Sequence, residues 1–313
     1  MSLERALTLV DATPRSGYPN PTVGAVVVAA DGAIVGEGVS EPAGGRHAEI
    51  VALDVAGDDA AGGTLFVTME PCAHHGRTPP CVDRILDAGL ARVVAGCSDP
   101  SDRAGGGAEC LRAAGVEVEL LDLERARRQN EAWRTWVVHG RPHVLLKLAV
   151  SLDGRVVVPG RRWVTGEEAR AAVHELRAAV DAVAVGMGTV RADAPRLDAR
   201  DVKVERQPRR LAFGRGPLPD GSELELRSSP LDEELRALAA EGVQSLLLEG
   251  GPTLATSFLE AGLVDRLLVF VAPVLAGGGP PMLGALSTPI ELGALDVDRI
   301  GDDVRLAARL HEV

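Results

Sequence analysis

The sequence predicts an α/β protein of two domains, and three observations carry that reading. The chain has 313 residues, about twice the ordinary size of one domain. After an opening hairpin, strand-like apolar runs alternate with helix-like periodic runs, the signature of a sheet layered with helices. Beyond a proline-containing break near residue 141, three further apolar runs each end in a turn rich in glycine or small residues.

The elements follow in order. Leu3, Ala6, Leu7 and Val10 recur at helical spacing, so the chain opens on an amphipathic helix. A turn-rich loop, 14–21, leads to a strand over 23–29, a turn at Asp31-Gly32 and a partner strand over 34–39. A helix over about 47–56 precedes a strand over 64–69, which runs into Glu70-Pro71-Cys72. Pro79 and Pro80 precede Cys81 and the periodic residues Val82, Ile85, Leu86 and Leu90, so a helix begins at Cys81. A strand over 92–96, a loop with three successive glycines, a short helix and a strand over 116–120 complete the first half. A single charged helix is expected over 121–138, broken by Gly140-Arg141-Pro142, which sets the domains at 1–141 and 142–313. In the second half, strands are expected over 144–150, 181–186 and 246–248. The last runs into Glu249-Gly250-Gly251-Pro252, a glycine turn before a helix start, suited to geometry alone or to a phosphate. A dinucleotide fold of the GxGxxG type is disfavoured, because no such fingerprint is present. Lys147 interrupts an otherwise apolar strand, which is costly unless its head reaches a polar cleft.

Composition narrows the function. Hydrophobic residues make up 46% of the chain and aromatics only 3%, so the cores must be built from Ala, Val and Leu. A net charge of −12 with no basic tract disfavours nucleic acid as a partner. No apolar run is long enough to cross a bilayer and no basic start precedes one, so a cytoplasmic, reducing location is expected, with no membrane partner. Of the four cysteines, Cys97 and Cys110 are expected to be buried free thiols.

The other two belong to the most informative stretch, Pro71-Cys72-Ala73-His74-His75-Gly76-Arg77-Thr78-Pro79-Pro80-Cys81, read together with His47-Ala48-Glu49. These supply one imidazole, two thiols and a carboxylate left free. Three such ligands leave a zinc ion one open position, and a metal so held makes hydroxide available near neutral pH. His47, Cys72 and Cys81 are therefore candidate zinc ligands and Glu49 the candidate proton carrier, the arrangement of zinc deaminases. The bland reading is two small buried cysteines and a chance His-x-Glu. A closed structural site that recruits His74 or His75 is a further alternative.

The usual second half of that pattern is Pro-Cys-x-x-Cys, whereas here eight residues separate Cys72 from Cys81. That insert resembles the deaminase half of the bifunctional riboflavin-biosynthesis deaminase/reductase family. Tyr18-Pro19-Asn20-Pro21-Thr22-Val23-Gly24 is similar to the same family's Pro-Asn-Pro-x-Val-Gly segment, and the three strand-turn segments of the second half resemble its reductase. The resemblance implies a cytidine-deaminase-like three-layer domain followed by a dihydrofolate-reductase-like α/β domain. It implies zinc and NADPH as cofactors and a ribosylamino-pyrimidine phosphate as the small-molecule substrate. The first domain would exchange the 2-amino group for oxygen and the second would reduce ribosyl to ribityl.

It also implies site residues. Asn20, which by chemistry alone is equally a turn residue, would contact substrate, as would Arg77 through the 5′-phosphate and Asp99. Arg177, Leu197, Arg200 and Glu249 would face the substrate of the second domain. Val150, Trp163, Thr165, Thr189, Asp193 and the turn Gly251, Pro252, Thr253, Leu254, Ala255, Thr256 and Ser257 would face NADPH. A homo-oligomer is expected. The family's Asp-Asp-Pro is Asp193-Ala194-Pro195 here, its strand ending in Asp-Ser is Phe213-Gly214-Arg215, and its Asp-Pro-Asn is Asp99-Pro100-Ser101. These departures motivate two alternatives: a deaminase whose second domain only binds or dimerises, and a zinc-stabilised binding protein without catalysis.

Overall fold

The structure is a computed structural model that describes residues 2–101, 104–293 and 295–311. The chain divides into two compact units between His139 and Gly140.

In the first unit, β1 (Gly24–Val28), β2 (Ile34–Val39), β3 (Thr64–Val67), β4 (Arg92–Ala95) and β5 (Glu117–Leu120) form one sheet in the order β2-β1-β3-β4-β5. β1 is antiparallel to both neighbours, while β3, β4 and β5 run parallel. Parallel neighbours need crossovers. These are α3 (Cys81–Asp87) and α4 (Gly107–Ala113). Alternation along β1 splits its side chains between two faces. Val26 meets Leu3 and Ala6 of α1 (Ser2–Ala12), whereas Ala25 and Val27 join Ala52 and Leu53 of α2 (Ala48–Ala56) and Ile85 of α3. Helix, sheet and helix thus form three layers, cored by Ala, Val and Leu as the scarcity of aromatics requires.

Two expectations fail here. The charged helix over 121–138 is two helices, α5 (Glu124–Arg128) and α6 (Glu131–His139). Residues 121 and 123 remain extended because their N–H groups donate to the Ala95 and Gly96 carbonyls. All four cysteines are free; of the two expected to be buried free thiols, Cys97 is buried but Cys110 is exposed.

The second unit is one eight-stranded sheet. Its strands are β6 (His143–Ser151), β7 (Ala182–Gly186), β8 (Arg209–Phe213), β9 (Glu225–Arg227), β10 (Ser245–Leu248), β11 (Arg266–Ala272), β12 (Asp296–Ile300) and β13 (Asp303–Arg309). The order is β12-β13-β11-β6-β10-β7-β8-β9. All pairs from β11 to β9 are parallel, and β13 and β12 close one side antiparallel. Ala169 and Val173 of α7 (Glu167–Ala179) pack on Leu268 and Phe270; α8 (Met187–Asp193) follows β7. On the other face, Leu235 and Leu238 of α9 (Leu231–Ala240) and Phe258 of α10 (Pro252–Glu260) pack on Val144, Leu146 and Leu148. β6 is covered on both faces, which explains why it is apolar from Val144 to Val150 except at Lys147.

Two buried carboxylates pin the beginnings of these strands. Asp181 accepts from the Gln244 and Ser245 N–H groups and from the Ser245 hydroxyl. Asp265 accepts from the Val144 N–H and takes both Arg141 Nη atoms at 2.7 Å. The opposite ends of the strands carry the candidate site residues. Among the described residues, no helix is long and apolar enough to cross a membrane.

Candidate active sites

Three elements bring the metal-ligand candidates together. His47 is the residue before α2, with extended backbone; Cys72 follows the end of β3; Cys81 opens α3, with Pro80 just outside it. His47 Nδ1 lies 3.1 Å from Cys81 Sγ and 3.5 Å from Cys72 Sγ. The three ligand atoms lie within 4.8 Å of one another, and among the described residues no other His, Cys, Asp or Glu joins the group. A closed four-ligand site built with His74 or His75 is therefore not what the side chains form. The donor set, two sulfurs and one imidazole nitrogen at helix starts, fits zinc with one position left open.

The electrostatics agree with that fit. Hydrogen bonding to Cys81 pulls the Cys72 thiol down to about 4, and the same contact with burial pushes Cys81 up. The Cys72 contact raises the imidazole of His47. Glu49, two residues on, is 3% exposed. Burial, with the Cys72 thiolate nearby, pushes its carboxyl up to about 7.

Backbone geometry locks the loop that carries Cys72. The Glu70 carboxylate accepts from the Ala108 N–H at 2.9 Å and the Asp99 N–H at 3.3 Å, tying the end of β3 to α4 and to the Asp99 loop. A Cβ at Gly107 would lie 1.8 Å from the Pro71 carbonyl oxygen, so only glycine fits there. Asp99 is partly buried, accepts from the Ser101 N–H at 2.8 Å, and is raised by burial. Asn20 and Arg77 are exposed. His74 Nδ1 is buried without a partner, and nothing in the sequence distinguishes this residue from His75.

In the second unit the candidates cluster at the ends of β6, β7 and β10. Gly251 precedes α10, with Pro252 opening it and no side chain capping it. Thr189 of α8 comes to 3.6 Å from where a Gly251 Cβ would stand. The free N–H groups of that helix start and the missing Cβ suit a phosphate of a dinucleotide. Val150 lies at the end of β6, and Trp163, 53% exposed, has Arg162 and Arg170 against its ring. The Thr165 carbonyl accepts from Arg170. Leu254 packs against Gly250 and Gly186. Asp193 ends α8 and is exposed, as are Thr253 and Ser257, while Ala255 is fully buried and offers a ligand only its backbone. The Thr256 hydroxyl accepts from the Gly284 N–H and donates to the Pro252 carbonyl.

The proposed substrate contacts form an ionic network. Glu249 accepts from Arg177 at 2.6 Å through Oε1 and at 3.1 Å through Oε2, and Lys147 Nζ stands 3.5 Å from the same Oε2. Burial opposes ionisation of Glu249, but Lys147 and Arg177 outweigh it and hold the carboxyl below its ordinary value. Arg177 also reaches the Asp198 carbonyl, so it is heavily engaged; Arg200 pairs with the Asp198 carboxylate and remains 42% exposed. Leu197 is buried beside Val190 and Met187. Lys147 had no assigned role, yet its charge on an apolar strand was the signal that it reaches this network.

Comparison with known proteins identifies both halves of the chain. Residues 2–97 match the family described as cytidine and deoxycytidylate deaminase zinc-binding region, and residues 142–306 match the RibD C-terminal domain. Riboflavin biosynthesis protein RibD of Mycobacterium tuberculosis is 41% identical, over 93% of this chain and 91% of that one. Its counterpart in Escherichia coli is 35% identical over 97% of each. Among solved structures, RibD of Acinetobacter baumannii superposes with a TM-score of 0.88 at 33% identity, covering 99% of this chain and 98% of that one. A Thermotoga maritima protein described as a diaminohydroxyphosphoribosylaminopyrimidine deaminase and 5-amino-6-(5-phosphoribosylamino)uracil reductase gives 0.86 at 32% identity, covering 99% and 98%.

Proposed function

Because the chain belongs to the RibD family, we infer that it catalyses two consecutive steps of riboflavin biosynthesis. The first is hydrolytic deamination of 2,5-diamino-6-ribosylamino-4(3H)-pyrimidinone 5′-phosphate. The second is NADPH-dependent reduction of the ribosyl group, giving 5-amino-6-(5-phosphoribitylamino)uracil. We assign the first to residues 1–141 and the second to 142–313.

The observation that carries the deaminase is the convergence of His47, Cys72 and Cys81 beside a buried Glu49. Zinc, when bound by those three, supplies the Lewis acidity that makes hydroxide available at neutral pH. Glu49 takes one proton from water and passes it to the pyrimidine ring nitrogen, then takes the remaining proton of the added hydroxyl and passes it to the amino group, which leaves as ammonia as the carbonyl forms. Its place beside the ligands, without joining them, suits that task. Asn20 and Asp99 orient the pyrimidine, and Arg77, an exposed guanidinium on the loop between the two cysteines, holds the phosphate.

For the reductase, NADPH when bound would supply the hydride that ribosyl C1′ takes up as its bond to the ring oxygen breaks, and that oxygen needs one proton. The turn at Gly251 and the start of α10, with Thr189 and Asp193, hold the phosphates and sugars of the cofactor. Val150, Trp163 and Thr165 would line it. Glu249, kept ionised by Lys147 and Arg177, faces the substrate together with Leu197 and Arg200. The deaminase-only and non-catalytic alternatives gain no support, since relatives align over both halves. A homo-oligomer in the cytoplasm completes the reading.

The test is an assay of the purified, zinc-loaded chain on the diaminopyrimidine, with and without NADPH. Ammonia release is expected in both cases and NADPH oxidation only after deamination. No ammonia would end the deaminase reading, and ammonia without NADPH oxidation would end the reductase reading.

A further inference from the structure

The break between α5 and α6 falls at Asn130, and that residue's side chain is buried, 7% exposed. Asparagine just before a helix ordinarily caps that helix. Here both ends of the amide instead engage one distant residue. Oδ1 accepts from the Thr22 N–H at 2.8 Å and Nδ2 donates to the Thr22 carbonyl at 2.8 Å, across 108 positions of chain. A side chain thereby supplies the two bonds that a neighbouring strand would give, just ahead of β1. Continuing the helix through this position would carry the amide away from Thr22.

Thr22 lies at a place that matters for the deaminase. Gly24, two residues on, pairs with Val39 of β2, and its N–H and carbonyl bond Thr68, just past β3. This is the sheet end from which the chain runs to Cys72 and at which α2, preceded by His47, begins. Two residues before Thr22 is the exposed Asn20, whose N–H donates to the Gly17 carbonyl. The loop is tightly folded: a Cβ at Gly17 would lie 2.3 Å from the Pro21 carbonyl oxygen. Fixing the Thr22 peptide therefore fixes the segment that bears Asn20.

We propose that Asn130 is a positioning residue of the deaminase site: by clamping both backbone groups of Thr22, it holds the Asn20 segment at the sheet end that carries the His47, Cys72 and Cys81 cluster. This rests on the reading of Asn20 as a substrate contact. Asn130 itself touches no reacting atom. Its loss should weaken substrate binding while leaving the metal and the proton carrier in place.

The experiment uses the full zinc-loaded chain and the variants Asn130→Asp, Asn20→Ala and the two combined. Asn130→Asp keeps the acceptor for the Thr22 N–H, loses the donor and sets a carboxylate against the Thr22 carbonyl. The expected result is a roughly tenfold rise in deaminase KM, since displacements near one ångström cost up to about a hundredfold. The deaminase kcat should stay within about twofold, with zinc content and reductase kinetics unchanged. The double variant should be no worse than Asn20→Ala alone, because a residue that acts through another is not additive with it. An unchanged KM in folded Asn130→Asp, or additive effects in the double variant, overturns the proposal. Asn20→Ala at wild-type KM overturns the reading of Asn20 separately, and the proposal falls with it. If Asn130→Asp loses zinc or fails to fold, Asn130→Ser, which leaves room for a bridging water, is measured in the same way. Loss of zinc or fold in both variants assigns Asn130 to the fold and overturns the proposal.

Discussion

The N-terminal site draws its reactive groups from a short piece of chain, while the C-terminal site gathers them from afar. His47 and Cys81 are 34 positions apart, and their atoms meet because three adjacent elements begin or end at one side of a small sheet. Arg177 and Glu249 are 72 positions apart and meet through neighbouring parallel strands and the helix above them. The first site is a cluster of metal-ligand atoms, and the second is a balance of buried charges. A metal site specifies residue types and local spacing. A charge network specifies only that each buried ion find its opposite.

The largest effect should come from Glu49→Gln. The amide keeps the shape but cannot carry the proton, so deaminase kcat should fall by roughly 10²- to 10⁴-fold. Zinc content, read by atomic absorption, and reduction of supplied deaminated intermediate should be unchanged. Stripping zinc with a chelator should act on the same half alone. A matching loss of NADPH oxidation in either experiment would break the division of labour between the two regions.

Next comes Glu249→Gln, which sharpens the contrast from the other side. It strands Lys147 and Arg177, whose side chains are 15% and 14% exposed, without their shared carboxylate. Breaking a buried pair costs about 3–5 kcal/mol. Urea melting should show that loss in the C-terminal unit, and the reductase should fail while deamination continues. A stability change near zero would mean that solvent reaches the network freely.

Asp265 gives a smaller, pH-dependent effect. Burial alone would raise its carboxyl, but the Arg141 hydrogen bonds, the nearby His143 and the Val144 N–H outweigh burial and hold it below its ordinary value. A carboxyl whose folded pKa is depressed contributes stability above its unfolded pKa, about 3.9, and that contribution disappears as pH falls through the folded value. The urea midpoint of the C-terminal unit should therefore hold above about pH 5 and drop below about pH 4. Asp265→Asn should remove that part of the slope and cost about 1.5–3 kcal/mol at neutral pH, as expected for hydrogen bonds to a charged group. An unaltered acid limb in the variant would remove Asp265 from the account.

Much of the N-terminal site could be read from the sequence because its information is local. His47, Glu49, Cys72 and Cys81 announce themselves by type and by the helix starts beside them. The break at Asn130 could not be read that way, since charge and periodicity favour helix throughout and only the distant Thr22 backbone decides otherwise. Cys110 is expected to be buried because it lies in an apolar run, yet α4 turns it outward. In the second unit, β6, β7 and β10 stand out because strands covered on both faces are largely apolar, with Lys147 the exception in β6. β12 is half-polar and exposed along most of its length, so pairing with β13, not its own pattern, makes it a strand. Lys147 showed that something polar lay beneath, but its partner Glu249 could be found only in three dimensions.

The cysteines bring the comparison down to its smallest effect. Cys110→Ser should leave stability within about 0.5 kcal/mol, as surface changes do. The thiolate is the reactive form of cysteine. Cys97 is fully buried, its thiol donates to the Thr68 carbonyl, and burial pushes it up to about 11, so at neutral pH it is both shielded and protonated. Cys72 and Cys81, as the proposed zinc ligands, are expected to be shielded by the metal. A thiol reagent added to the native zinc-loaded chain should therefore titrate Cys110 alone, and Cys110→Ser should give no fast reaction. After chelation, Cys72 and Cys81 should join, leaving Cys97 silent until the N-terminal unit unfolds. Fast labelling of Cys72 or Cys81 with zinc still bound would show that the metal is held by other groups, and the local, ligand-built character of the first site would fail with it.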